Sequence, residues 1–409
     1  MRPTLLSFLG IGNYQSVTYQ INGQAASPTV FIAHALAEIF EPEKVLIIRT
    51  QAAYEKFFEG KGLKENEYKI TDALSDLYPP LTIVPVPIPD GKNPDELWMM
   101  FQAITGAVPQ GCELILDVTH GFRSQPMLAL AAAVYLQVVK DVKIKHIFYG
   151  AFDAKDENGI APVFDLMPFM ELIQMAQGFE YYLNRGDARP MADMMKRLTI
   201  EGVDMRIVGQ IRNLGKNLEL LSTSYALIRT TEILETAQIF VQRDFPSIDS
   251  AMASPFLYLI ELAKARNEKV AAANGAVFSK EGILAQSEII SRYLLAGQYQ
   301  QAVTLAREAM VTSVCLAHAF DPLMNRDQAE KILNEISPDN NSKDAYPIEK
   351  SGKFYERETA KLWSNLREIR NDLNHAAMRP GPAKTAGILR NVCSACEAVI
   401  SYLHQSTTP

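Results

Sequence analysis

Asp117-Val118-Thr119-His120-Gly121-Phe122-Arg123-Ser124-Gln125-Pro126 joins two segments of different periodicity. Before it, Cys112–Val118 is a short apolar run of the strand type. After it, Gln125–Val139 carries apolar residues at helical spacing. A strand, a donor-rich loop and a helix make one β-loop-α unit, and the same unit recurs on both sides. Strands are predicted at Pro3–Leu9, Lys44–Thr50, Leu81–Ile88, Cys112–Val118 and Ile144–Gly150. Helices are predicted at Thr29–Phe40, Ala52–Glu65, Pro94–Ala107 and Gln125–Val139, the first opened by Ser27 as N-cap and Pro28 in the first turn. This alternation predicts βαβ units and a parallel, doubly wound sheet. Ile160–Met167, after the turn-like Asp153–Gly159, reads as a further strand that returns beside the fifth.

From about residue 170 the strand signal stops. Helical runs follow one another from Met170 to His404, among them Val203–Phe240, Arg326–Ile336, Thr359–Met378 and Ala383–His404. The polar interval Ser337–Gly352 separates two of them and reads as a mobile loop. With 409 residues, two or three domains are expected. We divide the chain into an α/β domain at 1–170, a helical connector at 171–296 and a second all-α domain at 297–409.

Composition narrows the function classes. No stretch reaches the roughly 20 apolar residues of a membrane span, and the N-terminal run is too short for a signal peptide. Four cysteines (Cys112, Cys315, Cys393 and Cys396) fit a reducing cytoplasm, so a cytoplasmic protein without membrane contact is expected. Cys393 and Cys396 form a lone CxxC within a helical pattern, which does not make a zinc site. A net charge of −7 argues against a large nucleic-acid platform and leaves room for a small RNA site.

Two loops at carboxyl ends of predicted strands hold the polar residues, where open α/β sheets bind ligands. One is Leu9-Gly10-Ile11-Gly12-Asn13-Tyr14; the other is the stretch quoted first. A dinucleotide fingerprint fails, because Gln15 stands where the third glycine belongs and Arg49-Thr50-Gln51 offers no carboxylate for a ribose hydroxyl. No G-x-x-x-x-G-K-[ST] loop exists either, so no NAD or ATP cofactor is expected. The residues themselves leave two readings open: two structural turns that need glycine, or a phosphate site. Thr119, His120, Arg123 and Ser124 crowd donors at a helix start, which suits phosphates.

LGIGNY after the first strand and DVTHGFRSQP after the fourth closely resemble the CARF domain of type III CRISPR ancillary ribonucleases. The resemblance implies a Rossmann-like homodimer, or a higher homo-oligomer, that binds a cyclic oligoadenylate across its two-fold axis, with the tetra-adenylate ring as first choice. It carries ligand contact onto Gly10, Gly12, Asn13, Tyr14, Thr119, His120, Gly121 and Arg123. A two-fold interface presents each loop twice, which matches a symmetric ring.

Near the C-terminus, Arg370-Asn371-Asp372-Leu373-Asn374-His375 gives R-x4-H between two long helical runs. It resembles the active site of the HEPN domain, an all-helical ribonuclease fold that follows CARF in known proteins. The resemblance implies a metal-independent endoribonuclease with Arg370 and His375 catalytic, leaving a 2′,3′-cyclic phosphate and a 5′-OH. Asn371 and Asn374 are expected to add hydrogen bonds to that site. Histidine suits proton transfer near neutral pH, and arginine offers a permanent cation in a fork that fits phosphate oxygens. Five residues place the two about 140° apart on an ideal helix, so two copies facing each other would focus them better than one. His34, His146, His318 and His404 are read as structural. The expected function is therefore RNA cleavage switched on by a cyclic oligoadenylate in antiviral defence. The alternative from another class is a sensor of the same ligand that regulates without catalysis.

Overall fold

The computed structural model describes residues 2–12, 14–65, 67–77, 79–120, 125–197, 204–244, 254–337, 346–378 and 380–407. The chain divides into two compact units, Met1–Met170 and Glu171–Pro409.

The first unit runs β1 (Thr4–Leu9), β2 (Thr18–Ile21), β3 (Gln24–Ala25), α1 (Ile32–Phe40), β4 (Lys44–Arg49), α2 (Gln51–Phe57), α3 (Ile70–Ser75), β5 (Thr82–Pro87), α4 (Pro94–Ala107), β6 (Glu113–Asp117), α5 (Gln125–Val139), β7 (Lys143–Gly150) and β8 (Ile160–Asp165). One sheet contains all eight strands in the order β3-β2-β8-β7-β6-β1-β4-β5. Strands β5, β4, β1, β6 and β7 are mutually parallel, and β8 is antiparallel to β7. Counted by crossover, the order from β5 to β8 is 3-2-1-4-5-6, the doubly wound arrangement. The expected sheet is therefore present, with β8 returning antiparallel beside β7. The β2–β3 hairpin beyond it was not predicted, since it is short and largely polar.

Alternation along the strands sorts side chains onto two faces. Leu5, Leu9, Val45, Ile47 and Ile115 pack with α1, α2 and α3, whereas Leu6, Phe8, Leu46, Leu114 and Leu116 pack with α4 and α5. Helix α4 starts where local chemistry dictates: Asn93 accepts the Glu96 amide at 2.9 Å and Pro94 opens the first turn. Helix α1 departs from expectation. It starts at Ile32 with no side-chain cap, because Val17 and Thr29 exchange both backbone hydrogen bonds and hold that segment extended. Ser27 instead donates its N–H and O–H to the two carboxylate oxygens of Glu38, at 2.8 and 2.7 Å. The predicted Ala52–Glu65 helix ends at Phe57, since Gly60 and Gly62 adopt φ of 84° and 72°.

The second unit runs α6 (Met167–Arg185, which begins in the first unit), α7 (Arg189–Arg197), α8 (Met205–Ala226), α9 (Thr230–Gln242), α10 (Ser254–Ala271), α11 (Lys280–Leu295), α12 (Tyr299–Ala317), α13 (Arg326–Ile336), β9 (Ile348–Lys350), β10 (Lys353–Tyr355), α14 (Arg357–Asn374) and α15 (Thr385–Thr407). A single buried cluster extends from Met175 to Leu403. Inside it, the Arg292 guanidinium donates to the Tyr225 hydroxyl at 3.1 Å and to Asn267 Oδ1 at 3.0 Å, while Asn267 donates to the Tyr182 hydroxyl at 2.7 Å. These bonds link α6, α8, α10 and α11, and they satisfy a buried charge that would otherwise destabilise the core. The predicted continuous helix Val203–Phe240 is two helices, broken at Ile228, whose φ is 57°. Part of the polar interval Ser337–Gly352 is ordered: β9 and β10 form a hairpin through Ser351 and Gly352, both at positive φ, as a tight two-residue turn requires. Residues 338–345 of that interval lie outside the described residues. Among the described residues, no helix is long and apolar enough to cross a membrane.

Candidate functional site

The strand order reverses between β1 and β6, so the loops that follow these two strands flank one crevice at the carboxyl edge of the sheet. The chain after β1 does not enter a helix. It crosses this edge to reach β2, on the far side of β8, and Gly10 is where it passes closest. A Cβ on Gly10 would lie 3.1 Å from the His120 carbonyl oxygen and 3.3 Å from the Tyr14 hydroxyl. The Tyr14 hydroxyl accepts the Gly10 amide at 2.9 Å, and its ring stands 4.4 Å from the His120 ring and 5.3 Å from the Phe57 ring, centroid to centroid. Burial pushes the Tyr14 phenol upward. Tyr14 is thus the pin that holds the first loop over the second.

Beneath this crossing, Asp117 ends β6 fully buried. Its carboxylate accepts the Ser7 hydroxyl at 2.5 Å and the Thr119 amide at 2.9 Å. Ser7 is opposite Asp117 in the β1–β6 register, so the pair locks the two strands whose loops form the crevice. Thr119 turns its hydroxyl oxygen inward to accept the Gly150 amide at 2.8 Å. Burial raises the Asp117 carboxyl above its ordinary value and lowers the His120 imidazole, whose Nε2 is buried with no hydrogen-bond partner among the described residues.

Of the expected ligand residues, Gly10, Gly12, Tyr14, Thr119 and His120 meet at this edge, while Asn13, Gly121 and Arg123 lie outside the described residues. Ile11 and Gly12 are exposed at the top of the crossing, where Lys56 Nζ reaches the Gly12 carbonyl at 3.5 Å and Glu67 at 2.8 Å. Reading the sequence missed the Ser7–Asp117 pair. A single serine within the apolar Leu5-Leu6-Ser7-Phe8-Leu9 was its only signal.

Two imidazoles of the first unit make stability pH-dependent. Burial holds His34 and His120 below the usual value of about 6.5. A lowered folded-state value means the contribution is complete above about 6.5 and is lost as pH falls through the lowered value. Asp117 acts in the opposite sense: its raised value means a contribution kept at low pH and lost as pH rises through it. The melting temperature of the chain should fall from pH 7 to pH 5, and His34→Gln should flatten that slope. An unchanged slope in the variant would rule out His34 as a source.

In the second unit, Arg370, Asn371 and Asn374 belong to the last two turns of α14, and His375 is its C-cap at φ −85° and ψ 6°. Arg370, Asn371 and His375 are exposed, and their side chains form no ion pair or hydrogen bond among the described residues. Asn374 accepts from Gln300 of α12 at 3.4 Å. On the inner side of the helix, Leu366, Ile369 and Asp372 are buried, and Asp372 accepts the Ala383 amide at 3.4 Å. Immediately after His375, Ala376 and Ala377 adopt φ of 49° and 60°. Two successive left-handed alanines cost about 1–2 kcal/mol each and turn the chain so that the Met378 amide donates to the His375 carbonyl at 2.7 Å. The remaining histidines in this unit and in β7 have partners in the fold: His146 with Asp165 at 2.6 Å, His318 with Tyr355 at 2.7 Å and His404 with Ser287 at 3.3 Å. Cys396 is buried and its thiol is pushed up to about 12, which disfavours the thiolate that a metal would need.

Residues 4–153 match the family described as "CRISPR system endoribonuclease Csx1, CARF domain". The sheet order and the two carboxyl-edge loops agree with that match, and the N-terminal unit is a CARF domain. The chain is accordingly a CARF-containing ancillary protein of the type III CRISPR kind. It is 24% identical over 268 residues to CRISPR-associated protein MJ1674 of Methanocaldococcus jannaschii, an alignment that takes in 54% of this chain. The chain spans only 41% of that relative's length. Over 99% of this chain and 95% of the other, the fold is loosely similar to Enterococcus italicus Csm6 bound to cyclic hexa-2′-fluoro-hexa-dAMP, with a TM-score of 0.41 and 11% identity. A likeness that loose does not assign the helical unit.

Proposed function

We propose that this protein is a homodimeric endoribonuclease switched on by a cyclic oligoadenylate, with the tetra-adenylate ring as the preferred activator. The observation that carries the sensor half is the crossing of the Gly10–Tyr14 loop over His120, within the matched residues and at the sheet's switch point.

The cutting half uses the exposed end of α14, read as a HEPN-type domain over residues 297–409. There His375 takes the proton of an RNA 2′-OH, and the oxygen attacks the adjacent phosphorus as the bond to the 5′-oxygen breaks. The departing 5′-oxygen takes up a proton from water, to which the His375 imidazolium returns its own. Arg370 faces the charge that builds on the crowded phosphate, and Asn371 is placed to hold it by hydrogen bonds. The products are a 2′,3′-cyclic phosphate and a 5′-OH, and no metal takes part. The Arg370 and His375 side chains have no hydrogen bond or ion pair among the described residues, which leaves them available to a substrate.

The test is cleavage of a labelled RNA by the purified chain across titrations of cyclic tetra-adenylate and cyclic hexa-adenylate. Stimulation by a ring supports the reading. Ring binding with intact RNA would make the protein a non-catalytic regulator. If two copies share one cleft, mixing Arg370→Ala with His375→Ala chains should restore activity above either variant alone. A fully active monomer by sedimentation rules out the shared cleft.

A further inference from the structure

Taking the carboxyl edge as the cyclic oligoadenylate site, the structure assigns Arg49 as the residue that receives a phosphate carried on the ligand's ribose. Arg49 is the last residue of β4 and is in register with Leu9, one residue before the Gly10 crossing. In the 3-2-1-4-5-6 order, β4 is the second strand. In doubly wound sheets that bind a nucleotide at the switch point, the ribose lies toward the end of that strand. A carboxylate there takes free ribose hydroxyls, whereas an arginine takes a phosphate attached to the ribose. Arg49-Thr50-Gln51 has no carboxylate.

The neighbours leave Arg49 alone for this role. Thr50 is buried and caps α2 by accepting the Ala53 amide, and Gln51 donates to Glu55 at 2.9 Å. Lys56 is neutralised by Glu67 at 2.8 Å. The Arg49 guanidinium makes no hydrogen bond or ion pair among the described residues, and its Nε is buried without a partner. Its guanidinium carbon lies over the Tyr54 ring, 4.1 Å from the centroid. Val45 and Ile47 pack on the face of the sheet that holds Leu9 and Tyr14, so strand alternation puts Arg49 on that face too. A guanidinium held over an aromatic ring before any ligand arrives loses less freedom on meeting phosphate oxygens than a solvated one would. The site is thereby matched to a 3′–5′-linked oligonucleotide, in which each ribose carries a phosphate on its 3′-oxygen, and not to a nucleotide whose 2′- and 3′-hydroxyls are both free.

The experiment is calorimetry of the full chain with cyclic tetra-adenylate, and with 5′-AMP as the probe lacking a ribose 3′-phosphate. It compares wild type, Arg49→Met, which keeps apolar packing on Tyr54, and Arg49→Lys. Arg49→Met should bind the ring at least tenfold more weakly, with a shallower dependence on salt, and Arg49→Lys should fall between. Affinity for 5′-AMP should be weak and the same in all three. Equal ring affinity and salt dependence in wild type and Arg49→Met would overturn the role of Arg49 while leaving the site in place. A wild-type chain that binds no ring would overturn the site and Arg49's role together. Weakened binding of ring and 5′-AMP alike, with a lower melting temperature, would make Arg49 a packing residue and overturn its role.

Discussion

His375→Ala should lower ring-stimulated RNA cleavage by about 10²–10⁴-fold, the range a positioned proton-transfer group contributes. The melting temperature should stay within a degree or two of wild type. His375 is exposed at the end of α14 and its imidazole has no partner among the described residues, so its removal leaves neither a cavity nor an orphaned group. Arg370→Ala should act similarly, for the same structural reason and a different chemical one: the lost group faces phosphate charge instead of moving a proton. Ring affinity measured by calorimetry should not change in either variant. Chelator should have no effect, because the proposed proton transfer and charge stabilisation come from protein side chains. Activity lost in EDTA and recovered with a divalent cation would overturn the metal-free mechanism. Wild-type cleavage by His375→Ala would remove α14 as the active site.

Gly10→Val should weaken ring binding by more than tenfold and abolish stimulation while leaving ligand-independent cleavage intact. Gly10 does not need a positive φ, so a side chain there meets no backbone penalty, only neighbours. The neighbours are the His120 carbonyl, at 3.1 Å from a Cβ, and the Tyr14 hydroxyl, at 3.3 Å. Neither can yield freely. The carbonyl belongs to the backbone of the second loop, and the hydroxyl holds the Gly10 amide at 2.9 Å. A valine adds two methyl groups to this contact, an overpacking worth about 1–3 kcal/mol that pushes the two loops apart. Gly10→Ala adds only the Cβ and should fall between. The paired measurement is ring affinity and cleavage rate across a ring titration. Wild-type affinity in Gly10→Val would show that the ligand does not depend on the crossing, and the site would have to be sought elsewhere.

Local periodicity determined most of the element order. Helices α4, α5 and α13 have the bounds predicted for them. For α4 the cap of Asn93 and Pro94 is written in adjacent residues. The glycine-bearing loop after β1 and the donor-rich loop after β6 were equally legible, because their chemistry is contained in short stretches. What the chain could not express locally was decided by tertiary packing. The β2–β3 hairpin exists because β8 offers β2 an open edge to pair with, and the Val17–Thr29 bridge beside it delays the start of α1. The break at Ile228 has no glycine or proline to announce it; the residue accepts a costly left-handed backbone, and its side chain packs against the core of the second unit. Ser7 and Asp117 are 110 residues apart, and only the β1–β6 register brings them together. Arg49 read as the lack of an acid in sequence, and became a cation over Tyr54 with no ion pair among the described residues only once its strand was placed beside β1. Spacing along one chain sets which face a residue occupies, but which residues meet across strands depends on sheet order. Here sheet order decides where Ser7, Asp117 and Arg49 stand at the carboxyl edge.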